Sequence, residues 1–116
     1  MKKTGPQISL FLRQLKSFVE KNGFIFVPRD ASKKFLAERN MTPDELKGIM
    51  LSLEVADCFD GPEPDRDPKL ADKWTVAEFS PVHCNEKLYL KLSIRMDAGQ
   101  AKCLSVKLYT EKESSR

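Results

Sequence analysis

Between residues 87 and 96 the chain alternates without a break, Leu88, Leu90, Leu92, Ile94 and Met96 against Lys87, Tyr89, Lys91, Ser93 and Arg95. A period of two puts the apolar set on one face of a β-strand and the basic and tyrosine set on the other. After Asp97-Ala98-Gly99-Gln100 the alternation resumes over residues 102–110. There Leu104, Val106 and Leu108 are expected to point inward, and Cys103, Ser105, Lys107 and Tyr109 outward. The pair predicts a hairpin with a four- or five-residue loop, Gly99 supplying the backbone freedom. Its outer face would carry Tyr89, Lys91, Arg95, Lys107 and Tyr109 with no acid among them. Its apolar face needs a cover.

Upstream segments can supply that cover. Over residues 9–22, Phe11, Leu12, Leu15, Phe18 and Val19 recur at helical spacing, with Arg13, Gln14, Lys16, Glu20 and Lys21 on the other face. Asn22-Gly23 stops this helix. Residues 24–27, FIFV, read as a short strand ended by Pro28. A second helix is expected over residues 32–39, burying Phe35 and Leu36. The third starts at Thr42 as N-cap, with Pro43 first in the helix and Glu45 completing a capping box. Met41 and Leu46 occupy the positions of a hydrophobic staple, and Leu46, Ile49, Met50 and Leu53 form the buried stripe.

Residues 55–60 read as a brief strand. GPEPDRDPKLADK, residues 61–73, reads as an exposed loop, because its prolines and glycine oppose a strand. KWTVAEF returns to strand chemistry, with Trp74 and Val76 on one face, and residues 80–86 read as a connection. Helix, strand, two helices and then antiparallel strands predict an α+β fold, N-terminal helices packed on one face of a mostly antiparallel sheet. One domain is expected over residues 1–116, with flexible ends at 1–7 and 111–116.

The composition, 41% hydrophobic and 32% charged, is that of a globular chain. No apolar run approaches the roughly 20 residues of a membrane span. MKKTGPQISLFLRQL lacks the apolar core and cleavage site of a signal peptide, so a cytoplasmic location is expected. Cys58, Cys84 and Cys103 are widely spaced and odd in number, which suggests reduced thiols rather than disulfides or a zinc site. The net charge of +3 permits an acidic partner without demanding one.

No P-loop, GxGxxG, HExxH or nucleophile elbow is present. His83 is the single histidine. It lies beside Cys84 in the expected connection, where sequence neighbours generally do not face each other. Neither a metal nor a cofactor is expected. The outer hairpin face is the candidate. Tyrosines among lysines and arginines suit nucleic acid, since cations neutralise phosphates and rings stack on bases. Cations on a rigid strand would be preorganised to stabilise a pentacoordinate phosphate without a metal. The polar face of any half-exposed antiparallel sheet has a similar composition, and that reading stays open.

Leu51-Ser52-Leu53, Asp57, Phe59, Gly61-Pro62, Asp65-Arg66-Asp67, Trp74, Tyr89, Lys91 and Leu104-Ser105 follow one another in an order that resembles the MqsR family of type II toxins. These are small ribonucleases with a RelE-like α+β fold. The resemblance spans residues 10–109 and is specific from 51 onward. It implies metal-independent cleavage of mRNA, on or off the ribosome, by attack of the ribose 2′-OH on the adjacent phosphate. It also implies neutralisation by a cognate antitoxin, and an active site on the exposed sheet face. Tyr89 would be the general acid/base or stacking platform, with Lys91 two residues on. Arg95, Lys107, Lys87 and Tyr109 would extend the RNA contact. The chain departs from the family pattern at Asp60, usually Lys, and at Thr75, often Gln; Arg66 or Lys73 would have to replace the missing cation. The alternatives are a catalytically inactive relative that binds RNA or an acidic antitoxin segment, and an interaction protein with no nucleic-acid role.

Overall fold

The computed structural model describes residues 5–110. Along them run α1 (Gly5–Asn22), β1 (Ile25–Phe26), α2 (Asp30–Glu38), α3 (Pro43–Leu51), a 3-10 turn (Val55–Asp57), β2 (Cys58–Pro64), β3 (Trp74–Phe79), β4 (Val82–His83), β5 (Glu86–Arg95) and β6 (Gln100–Leu108). The strands lie in the order β1-β6-β5-β3-β2, with β4 paired to the start of β5. β1 runs parallel to β6, and the remaining pairings are antiparallel. This is the expected α+β fold. The ends expected to be flexible fall partly on residues 1–4 and 111–116, which lie outside the described residues, while residues 5–7 form the first turn of α1.

The alternation of β5 does what its period requires. Leu88, Leu90, Leu92 and Ile94 are all buried, among Ala77 and Phe79 of β3 and Ala101, Cys103 and Val106 of β6. Ile8, Phe11, Leu12, Leu15 and Val19 of α1 close over them, with Leu46, Ile49 and Met50 of α3 beside. The Phe11 and Phe79 rings sit 6.0 Å apart across this layer. Fully burying one such side chain stabilises the fold by about 1.5–3 kcal/mol, so this layer supplies most of the driving force. Met96 is the exception to the alternation: β5 ends at Arg95, and Met96 is exposed in the turn. None of the described helices is long and apolar enough to cross a membrane.

α3 begins as its sequence dictates, with Pro43 at its first position and Thr42 Oγ1 accepting from the Glu45 N–H at 3.1 Å. The other half of the expected capping box is not formed. The Glu45 carboxylate meets His83 Nε2 at 2.8 Å instead.

Three further expectations are corrected. Lys91 pairs with Ser105 but Leu92 pairs with Cys103, so Leu104 is an extra residue in β6. This β-bulge shifts the parity of the strand before it: Cys103 and Ala101, not Leu104, face the core. Leu108, opposite Leu88, keeps its parity but is exposed at the end of the strand. Burial pushes the Cys103 thiol up to about 12. The start of the expected loop at residues 61–73 is strand, because β2 runs on to Pro64 through register shifts on either side of Asp60. Gly61 makes the close approach possible; it has φ +79°, and a Cβ there would lie 2.6 Å from the Val76 carbonyl oxygen. Finally, the connection at residues 80–86 contains β4 and a tight turn into β5, with Cys84 and Asn85 both at positive φ.

Candidate functional site

Strand pairing decides which side chains share the outer face. On β5 these are Tyr89, Lys91, Ser93 and Arg95, as the alternation predicts. β6 sets Lys107 opposite Tyr89, Ser105 opposite Lys91 and Lys102 opposite Ser93. β3 contributes Trp74 opposite Arg95, Val76 opposite Ser93 and Glu78 opposite Lys91. β2 then places Asp60 opposite Glu78. The hairpin's own outer-face positions carry no acid, as expected, but its neighbours insert two carboxyls among its cations.

Those carboxyls organise the centre of the face. Tyr89 is only 3% exposed, and its hydroxyl donates to Glu78 Oε1. Glu78 is equally buried. Burial by itself would raise the Asp60 carboxyl; the Glu78 side chain and the Gly61 backbone are among the groups that act against it, and on balance Asp60 stands below its usual range. Aromatic rings and cations surround the pair. Phe59 lies 6.0 Å from the Tyr89 ring and meets Tyr109 edge-on at 5.6 Å. The Lys107 ammonium stands 5.2 Å from the Tyr89 ring centre, Lys87 4.2 Å from that of Tyr109, and Lys102 3.9 Å from that of Trp74.

Beside Glu78 a small cleft of about 50 Å³ opens, lined by Asp60, Gly61, Glu63, Arg66, Glu78 and Lys91 among others. Arg66 crosses it to Glu63 at 3.6 Å and Asp60 at 4.0 Å. The structure therefore gathers Tyr89, Lys91, Lys107 and Arg66 around one centre, with Lys87 and Tyr109 at one end of the face. Arg95 stands at the far end, ion-paired with Asp97 at 2.7 Å. Lys73 is exposed just before β3.

Sequence reasoning missed Glu78 and treated Asp60 only as a departure from a family pattern. The parity of Trp74, Val76 and Glu78 was visible, but not which strand would lie opposite. Phe59 entered only through the family pattern, and its place against Tyr89 and Tyr109 was hidden in a segment whose continuation looked like loop. Comparisons with protein families, with characterised proteins and with solved structures find no match for this chain.

Proposed function

We propose that the outer sheet face binds RNA, and that the cleft at Asp60 and Lys91 cleaves it without a metal, as the toxin of a cytoplasmic toxin–antitoxin pair. The observation that carries this reading is the buried Glu78 carboxyl, which accepts from the Tyr89 hydroxyl and stands opposite Asp60 on one neighbouring strand and Lys91 on the other. Asp60, kept ionised, would take the proton of the ribose 2′-OH as its oxygen bonds to phosphorus. Lys91 would stabilise the phosphorane and protonate the departing 5′-oxygen, with Arg66 holding a non-bridging oxygen. Lys87, Lys107 and Arg95 would neutralise flanking phosphates. Tyr89 then acts through Glu78, as a positioning residue. The toxin assignment itself rests on the resemblance of residues 51–109 to MqsR.

The burial of Tyr89 favours a second reading. A ring 3% exposed stacks on no base, so the face can equally serve an inactive relative that holds RNA or an acidic antitoxin segment. One assay divides them: labelled mRNA, with and without ribosomes, in EDTA. Cleavage that survives EDTA and falls about a hundredfold or more in Asp60→Asn and Lys91→Ala supports the enzyme. Salt-dependent binding without cleavage selects the binding module, and RNA neither bound nor cut overturns both.

A further inference from the structure

The turn between β4 and β5 is made of Cys84 and Asn85, with φ 52° and 64°. Two successive left-handed residues are the backbone of a type I′ hairpin, which favours Asn and Gly because a Cβ is crowded there. Asn85 suits that position and Cys84 does not. A non-glycine residue held in such a conformation is a pointer to function. The turn also undoes the expectation that His83 and Cys84 face apart. Alternation holds along an extended strand, but at this turn the Cys84 sulfur lies within 4.8 Å of a His83 ring nitrogen. Glu45, 38 residues away, reaches the same point from the third position of α3, its carboxylate 2.8 Å from His83 Nε2. One ligand atom from each of Glu45, His83 and Cys84 lies within 4.8 Å of the other two.

We propose that Glu45, His83 and Cys84 form a binding site for a divalent transition metal of the zinc class, joining the start of α3 to the β4–β5 turn. Carboxylate oxygen, imidazole nitrogen and thiolate sulfur are the donor set that borderline-soft cations select, and the two anionic donors offset the charge of the ion. At ordinary zinc bond lengths, tetrahedral ligand atoms stand about 3.3–3.6 Å apart. In the structure the Glu45–His83 contact is 2.8 Å and every pair of the three ligand atoms lies within 4.8 Å. The Glu45–His83 contact opens by under about 1 Å as the metal replaces the bridging proton. The fourth position faces solvent, since Cys84 is exposed and His83 and Glu45 are partly so. Glu86, opposite His83 across the turn, is held by Arg39 through hydrogen bonds of 3.0 and 2.8 Å, so it braces the hairpin rather than competing for the ion. None of these residues belongs to the outer sheet face, and the site stands whatever that face binds.

Cobalt(II) titrated into the reduced, metal-free full chain tests it. The expected result is saturable 1:1 binding with a thiolate-to-cobalt absorption band, displaced by zinc, and a higher Tm in zinc. Cys58 and Cys103 are buried, so the band should vanish in Cys84→Ser. Glu45→Gln should weaken binding by about tenfold or more. Circular dichroism of the metal-free variants checks that each is folded. Three results would each overturn the proposal: no saturable binding by the folded wild type, a band that persists in Cys84→Ser, or unchanged affinity in Glu45→Gln.

Discussion

The two faces of the sheet are buried by opposite chemistry. On the helix side, Leu90, Leu92, Phe79 and Val106 are covered by other apolar side chains, and any one contact is backed by many. On the outer side, Glu78, Tyr89, Ser93 and Trp74 are about as deeply buried. What accompanies them there is specific: a hydroxyl on a carboxyl, Lys102 over the Trp74 ring, Lys107 over that of Tyr89. An apolar layer responds to volume removed. A polar layer responds to the loss of a named partner, because an unpartnered buried polar group keeps its full desolvation cost.

Substitutions can break or sharpen that contrast. Leu90→Ala should cost about 2–5 kcal/mol in urea unfolding, since it leaves a cavity under α1; a loss below about 1 kcal/mol would mean the helix side is loosely packed. Gly61→Ala should follow at about 2–3 kcal/mol, combining a left-handed backbone penalty with a Cβ driven toward the Val76 carbonyl. The cleft, which Gly61 lines, should lose any activity along with it. Tyr89→Phe removes no volume from the layer, yet should cost about 1–2 kcal/mol by stripping Glu78 of a donor. Combined with Glu78→Gln it should be non-additive by about 0.5 kcal/mol or more, whereas Tyr89→Phe with Leu12→Ala should simply add.

The pH profile separates the faces by shape. The folded pKa of Asp60 lies below its ordinary value of 3.8. Its contribution to stability is therefore complete above about pH 3.8 and is lost as the pH falls through the lower folded value. Asp60→Asn should flatten the acid limb of the stability curve, whereas Leu90→Ala should lower the whole curve with its shape intact. The smallest effect is expected at Ser93, whose buried Oγ has no hydrogen-bond partner among the described residues. Ser93→Ala should be neutral or stabilising by up to about 1 kcal/mol. A clear loss would reveal a partner for that hydroxyl.

What the sequence made legible follows from how local each signal is. The alternation of residues 87–95 and the Thr42-Pro43 helix start are complete within a few residues, and both are found in the fold. β6 kept its strand but lost its parity at Leu104, because a bulge is fixed by the pairing with β5 and leaves no mark in composition. β2 was half concealed, since Gly61 and Pro62 oppose regular strand yet suit an irregular strand pressed against β3. Tyr89, Lys91 and Lys107 were legible as one face because they lie on a single hairpin. Asp60 and Glu78 join them only through the order β5-β3-β2, and Glu45 meets His83 only once α3 is docked. Those are properties of the assembled sheet.

β1 consists of two residues, and its sheet partners are Lys102 and Cys103, near the other end of the described chain. Val27 N–H to the Cys103 carbonyl at 3.0 Å and Val106 N–H to Ser32 Oγ at 3.1 Å extend the same seam. During synthesis, then, the early segment finds its place only after residue 108 has been made. Until then α1 has an incomplete surface to cover, and both β1 and β5 present open edges. A product truncated before β6 would leave the β1 and β5 edges unpaired and should be cut by proteases more readily than the full chain.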